Sequence, residues 1–187
     1  MAGLIYTASM SLDGYTVDST GNFDWAAPSE EVHAFINDLE RAAGTYLYGR
    51  RMYETMQAWQ TMPTGPQEPA VVNDYADLWR AADKIVYSST ITEPSTPRTR
   101  IEARFDPHEV SALVESSDRP VSIGGPTLAA EAFRSGLIDE VRVFLVPVSV
   151  GGGTPALPHD QFVQLETREQ RRFAGGTVFL RYDVGSR

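Results

Sequence analysis

Apolar residues along this chain follow two alternating patterns. One is short β-branched or alternating runs, and the other is longer stretches in which apolar positions recur every third or fourth residue. The first marks strands and the second amphipathic helices. Leu4 to Met10 reads as a strand, closed by Ser11-Leu12-Asp13-Gly14 and a loop carrying Asp18, Gly21 and Asn22. Pro28-Ser29-Glu30-Glu31 opens a helix whose positions Val32, Phe35, Ile36 and Leu39 share a face, and Gly44 closes it. Thr45 to Tyr48 is a short strand, and Gly49-Arg50-Arg51-Met52-Tyr53-Glu54 turns directly into another helix. After a Pro/Gly-rich loop over 62–69, a helix over 71–82 leads to a strand over 84–87, which ends in Ser88-Ser89-Thr90.

A strand over 100–105, a helix over 107–115 and the run Val121-Ser122-Ile123-Gly124-Gly125-Pro126-Thr127 come next. In that run a strand passes into a helix within two glycines. Glu140 to Val146 is a further strand, and Gly151-Gly152-Gly153 breaks the chain. Strands over 164–173 and 177–184 flank Gly175-Gly176 as a hairpin. Strand–helix alternation predicts a mostly parallel α/β sheet, and the tail adds an antiparallel edge. With no repeat or linker, residues 1–187 read as one domain.

Composition narrows the function classes. The formal net charge of −9 leaves no large basic face, which argues against nucleic acid as a partner. Lys84 is the sole lysine, so no P-loop exists. No cysteine is present, and His33, His108 and His159 are scattered, so thiol chemistry and a zinc site are not expected. The start lacks a charged segment followed by an apolar one, and no apolar run approaches membrane-spanning length. The expectation is a cytoplasmic protein with no membrane partner.

Three strand ends carry groups suited to anions: Gly49-Arg50-Arg51, Ser88-Ser89 and Gly124-Gly125. Ligands of open α/β sheets gather at the carboxyl ends of strands, so these three predict one crevice. Helix starts suit a pyrophosphate, and an arginine with serine hydroxyls suits a further monophosphate. The set fits NADPH better than NADH, whose ribose hydroxyl is more usually met by an acid. No G-x-G-x-x-G occurs, so an ordinary Rossmann site is not expected.

These pieces resemble the dihydrofolate reductase-like superfamily, most closely the RibD C-terminal (riboflavin biosynthesis reductase) domain. Thr7 to Gly14 is similar to the first strand and its S-L-D-G turn, and Tyr48 to Glu54 to the G-R-x-T-[WY]-E segment. Ser122 to Gly125 is similar to the I-G-G turn. Leu137-Ile138-Asp139-Glu140 and Pro147 to Gly153 resemble the L-[IV]-D-E and P-x-x-x-G-G pieces. The resemblance implies a three-layer α/β/α fold with a mixed sheet, NADPH as hydride donor, and often a homodimer. It implies that Gly49 and Arg50 meet cofactor phosphates and that Ser89 helps hold the 2′-phosphate, while Arg51 and Ser88 beside them are cofactor-binding candidates from their place at the strand ends. It further implies that Gly124 and Gly125, with Thr127 after them, approach the pyrophosphate through a cis peptide. The implied substrate is a pyrimidine such as 5-amino-6-(5-phosphoribosylamino)uracil, or alternatively dihydrofolate or another pterin. A non-catalytic NADPH-binding protein is the alternative of another class.

Two acids are the catalytic candidates. Asp24-Trp25-Ala26-Ala27-Pro28-Ser29-Glu30 resembles the W-x-x-P-x-[DE] stretch of dihydrofolate reductases, so Glu30 either pairs with an aminopyrimidine or merely complements the helix dipole. Asp13 either touches the nicotinamide side or forms its own turn. Trp25 is a candidate cap over the ligand. Trp59 and Trp79 read as core or dimer contacts, His33 as a surface helix residue, and Arg171-Arg172 as a solvated strand face.

Overall fold

The computed structural model of the protein describes residues 3–185. Ten strands and six α-helices occur in it: β1 (Leu4–Ser11), β2 (Tyr15–Asp18), α1 (Glu30–Glu40), β3 (Thr45–Gly49), α2 (Arg50–Met56), α3 (Ala58–Thr61), α4 (Ala70–Ala81), β4 (Asp83–Tyr87), β5 (Thr99–Glu102), α5 (Pro107–Ser116), β6 (Val121–Gly124), α6 (Pro126–Arg134), β7 (Glu140–Val146), β8 (Gly153–Pro155), β9 (Leu165–Arg172) and β10 (Val178–Val184). Eight strands form one sheet in the order β5-β4-β3-β6-β1-β7-β10-β9. The first six are parallel, and β10 and β9 add the antiparallel edge. All six parallel strands therefore end at one edge, where their connecting loops collect.

Side chains alternate across this sheet. Leu4, Tyr6 and Ala8 of β1, with Val141 and Val143 of β7, pack under α5 and α6 through Val110, Leu128, Ala129 and Phe133. The other face is aromatic: Tyr46 and Tyr48 meet Tyr75 and Trp79 of α4, and Phe144 and Phe179 meet Val32 of α1. The layers are thus α/β/α, as the family resemblance implies, around the mostly parallel sheet that the alternation predicts. Helix α1 starts two residues later than the Pro28 signal, with Ser29 as its N-cap accepting from the Val32 N–H. Among the described residues no helix is long and apolar enough to cross a membrane. The β2–β8 pair was not expected: it joins segments far apart in sequence into a two-stranded sheet beside the ends of β1 and β7. His33 is half-buried against Trp59 and Tyr75 rather than on the surface, because α1 lies against α3 and α4 there.

Candidate functional site

The carboxyl edge brings the expected strand ends side by side. Tyr48 pairs with Gly124 in the β3–β6 ladder, so Gly49-Arg50 and Gly124-Gly125 emerge from adjacent strands. Helices α2 and α6 start at those points with N-caps Gly49 and Gly125, and neither cap offers a side chain to the first-turn N–H groups. By contrast, Ser29 caps α1 and Asp106 caps α5. Two helix starts without a side-chain cap therefore leave first-turn backbone donors side by side at the carboxyl edge of neighbouring strands. Thr127 is exposed on the first turn of α6.

The glycines here have different reasons. A methyl at Gly124 would lie 2.9 Å from a Tyr48 ring carbon, and one at Gly125 would lie 3.2 Å from the Met52 Cβ. Gly125 also has φ +93°, a conformation disfavoured for residues with a Cβ. The chain's own packing therefore demands this pair. Among the described residues no peptide bond is cis, so the Gly124–Gly125 bond is trans and the implied cis peptide is corrected. The positive φ of Gly125 makes the reversal instead. Gly49 differs: its φ is −77°, and a methyl there would meet only the Leu128 Cβ at 3.8 Å, an ordinary contact. Nothing in the fold requires glycine at 49.

Charge and hydroxyl groups gather beyond β3. Arg50 is half-exposed and pairs with Glu54 at 3.1 Å, one turn along α2, while Arg51 is exposed with no ion pair among the described residues. The buried Ser88 hydroxyl accepts from the Thr90 and Ile91 N–H groups at 3.2 and 3.0 Å. It thus folds its own loop, and Ser89 and Thr90 are the members left exposed. The Ser88 N–H donates to the Glu102 carbonyl, and Tyr87 packs on Phe105, which places Arg104 beside that loop. Arg104 was missed in the sequence because only the β4–β5 pairing brings it here.

Asp13 follows β1, the strand next to β6, and is committed to structure. Its carboxylate accepts from the Val150 and Gly151 N–H groups at 3.1 and 2.7 Å, while the Leu12 N–H donates to Val148 at 2.7 Å. The Ser11 hydroxyl, followed by those two N–H groups, holds its carboxyl well below the usual carboxylate range. This brace fixes the β1 turn against the 147–153 loop, and the β2–β8 pair extends it. At Gly153 even a methyl would strike the Val17 carbonyl.

The two acids opening α1 part company. Glu31 accepts from the Ala174 N–H and pairs with Arg171, which lies over the Phe35 and Phe173 rings. Arg171 is therefore not on the simple solvated face its sequence context indicates. Glu30 is exposed and has no hydrogen bond or ion pair among the described residues. At helical spacing it shares a flank with His33 and Asn37, the flank that meets α3 and α4. Trp25 is half-buried and donates to the Asn22 carbonyl at 3.2 Å, on the segment joining β2 to α1. Arginines and hydroxyls thus gather beyond β3, β4 and β5, Asp13 and Trp25 lie on the segments that follow β1 and β2, and Glu30 opens α1 on the flank toward α3 and α4.

Comparison with known proteins identifies the family and the fold. The sequence pattern of the RibD C-terminal domain matches residues 2–179. The chain belongs to the RibD C-terminal domain family. It is 26% identical over 183 residues to an uncharacterized protein, YyaP, of Bacillus subtilis (strain 168), covering 96% of this chain and 93% of that one. A putative riboflavin biosynthesis protein from Shewanella sp. PV-4 superposes with a TM-score of 0.76 at 18% identity, over 100% of both chains. A dihydrofolate reductase from Enterococcus faecalis, complexed with NADP(H) and RAB-propyl, gives 0.62 at 13% identity over 98% and 97% of the two chains. The fold is that of the dihydrofolate reductase-like reductases.

Proposed function

We propose that this chain is an NADPH-dependent reductase that delivers hydride to a pyrimidine- or pterin-type ring. The observation that carries the reading is the pair of uncapped helix starts on β3 and β6, with a glycine at 49 that the fold itself does not need. Gly49 and the first turn of α6, including Thr127, meet the pyrophosphate through backbone donors. Arg50, Arg51, Arg104 and Ser89 receive the 2′-phosphate, while Ser88 shapes the loop that presents Ser89. Gly124 and Gly125 keep the two helix starts close enough to share one ligand. NADPH supplies the hydride, and a solvent proton completes the reduction.

Glu30 orients the ring substrate by accepting its N–H groups, and Asp13 positions the loop that closes the site rather than touching the reacting atoms. The family supports a reductase, and a solved relative of the fold carries NADP(H). The test is oxidation of NADPH by the purified protein in the presence of pyrimidine and reduced-pterin candidates. Turnover with at least one such ring is expected. NADPH binding without oxidation by any member of the panel would instead favour the non-catalytic reading.

A further inference from the structure

The segment between β4 and β5 supplies Ser89 to the proposed phosphate site, and its fastening decides where that hydroxyl stands. Gly49 pairs with Tyr87 in the β3–β4 ladder, so Arg50 and Ser88 leave adjacent strands side by side. Beyond Ser88 the chain carries no helix or strand until β5, and residues 89–95 are exposed apart from Ile91. Ile91 packs against the core cluster that holds Tyr53 and Trp79. The Ser88 hydroxyl, accepting from the Thr90 and Ile91 N–H groups, secures only the first turn of this loop.

Tyr53 secures the far end. It lies on α2, one turn along from Arg50, and is 1% exposed. The Ser95 N–H donates to its hydroxyl at 3.0 Å, and the Ser95 and Thr96 hydroxyls each lie 2.9 Å from it. Those partners carry the connection further. The Ser95 hydroxyl donates to the Gln57 Oε1 at 2.8 Å, and buried Thr96 meets the Thr99 hydroxyl of β5 at 2.8 Å. One phenol oxygen therefore ties α2 to both the loop and β5. Phenylalanine would fill the same core volume, so what tyrosine adds at 53 is this fastening. Groups that share one ligand must be held to within about 0.5 Å, and hydrogen bonds behind them do so.

Resting on the reductase reading above, we infer that Tyr53 is a positioning residue for cofactor choice. Its hydroxyl pins the 88–98 loop to α2 so that Ser89 and Arg50 stand at one 2′-phosphate. Tyr53 acts through the loop and needs no contact with the cofactor.

The experiment compares wild type, Tyr53→Phe and Tyr6→Phe. Tyr53→Phe keeps the buried ring. Exposed Ser95 borders a cavity of about 360 Å³, lined also by Glu54, Gln60 and Thr61, so water can replace the lost bonds and the variant stays folded. Calorimetric titration is expected to show the NADPH-over-NADH preference narrowed about three- to tenfold, the size of one lost neutral hydrogen bond, with the loss falling on NADPH. Amide exchange at Thr90 and Ile91, whose N–H groups Tyr53 does not bond, is expected to quicken. Tyr6 is equally buried, packs on the other face of the sheet and donates to the Ala156 carbonyl at 2.7 Å. Tyr6→Phe is therefore expected to lower Tm but keep the wild-type preference. A preference unchanged in Tyr53→Phe, an equal loss for both cofactors, unchanged exchange at Thr90 and Ile91, or the same narrowing in Tyr6→Phe would each overturn the inference alone. Equal binding of NADPH and NADH by wild type would overturn the cofactor reading, and this inference with it.

Discussion

Replacing Gly49 and Gly125 by alanine, one at a time, separates a glycine held for a ligand from one held for the fold. At Gly125 the added methyl faces the Met52 Cβ at 3.2 Å, and φ is +93° with ψ 125°. A non-glycine residue in such a region costs about 1–3 kcal/mol. For a chain of this length that lowers Tm by about 2–12 °C. At Gly49 the backbone is already extended and the methyl has room. Restricting the unfolded chain favours alanine by about 0.4–1 kcal/mol, whereas alanine is a poorer N-cap than glycine by a comparable amount. The two offset, so Tm should stay within about 2 °C of wild type. The methyl does obstruct the approach of a phosphate to the α2 N–H groups, and losing one charge-assisted bond costs about 1.5–3 kcal/mol. NADPH affinity should therefore fall about ten- to a hundredfold in Gly49→Ala. Thermal unfolding followed by circular dichroism, with calorimetric titration of NADPH, reads both quantities. A Gly49→Ala protein that unfolds as early as Gly125→Ala, or that binds NADPH unchanged, refutes the reasoning.

Buried Glu40 gives a prediction on pH. Its Oε2 has no partner, and burial pushes its carboxyl up, opposed by Arg142 and the hydroxyls of Tyr46, Ser122 and Thr7. A raised folded value means that its contribution is full below the unfolded value of about 4.3 and is lost as pH rises. Glu40→Gln should match wild type near pH 4 and exceed it in Tm at neutral pH, and a gap that does not change with pH would contradict this. Asp13 has the opposite sign: its lowered carboxyl supports the brace at neutral pH and loses it only as pH falls below the unfolded value of about 3.9. Asp13→Ala should speed amide exchange at Val150 and Gly151 at pH 7 while leaving core strands such as β6 protected, and unchanged exchange at those two amides would exclude the brace.

Elements with strong periodicity were legible from sequence, including the strand-to-helix turns at Gly49 and Gly124 and the hairpin at Gly175-Gly176. The β2–β8 pair was not, because four- and three-residue strands carry little pattern, and their partners are set by tertiary approach. Asp13 illustrates the consequence: its role depends on N–H groups 137 and 138 positions away. Arg104 is hidden in the same way behind the β4–β5 ladder. The Glu40 signal was present but faint, since Val32, Ile36 and Glu40 fall on one helical stripe, and an acid there is placed against the sheet. Glu30 and Glu31 are indistinguishable as letters. Only the position of Arg171 and Ala174 on one side of α1 commits Glu31 and leaves Glu30 open.

On the proposed function, the carboxyl edge holds NADPH through a dedicated 2′-phosphate site. Calorimetric titration of wild type and Arg50→Ala with NADPH and NADH tests it directly. The Arg50–Glu54 pair is an exposed helical pair worth only about 0.3–0.5 kcal/mol to the fold, so the variant remains folded and comparable. Wild type should bind NADPH about ten- to a hundredfold more tightly than NADH, and Arg50→Ala should remove most of that preference while leaving NADH binding nearly unchanged. Equal affinities for the two cofactors in wild type, or a preference untouched by Arg50→Ala, would contradict the account.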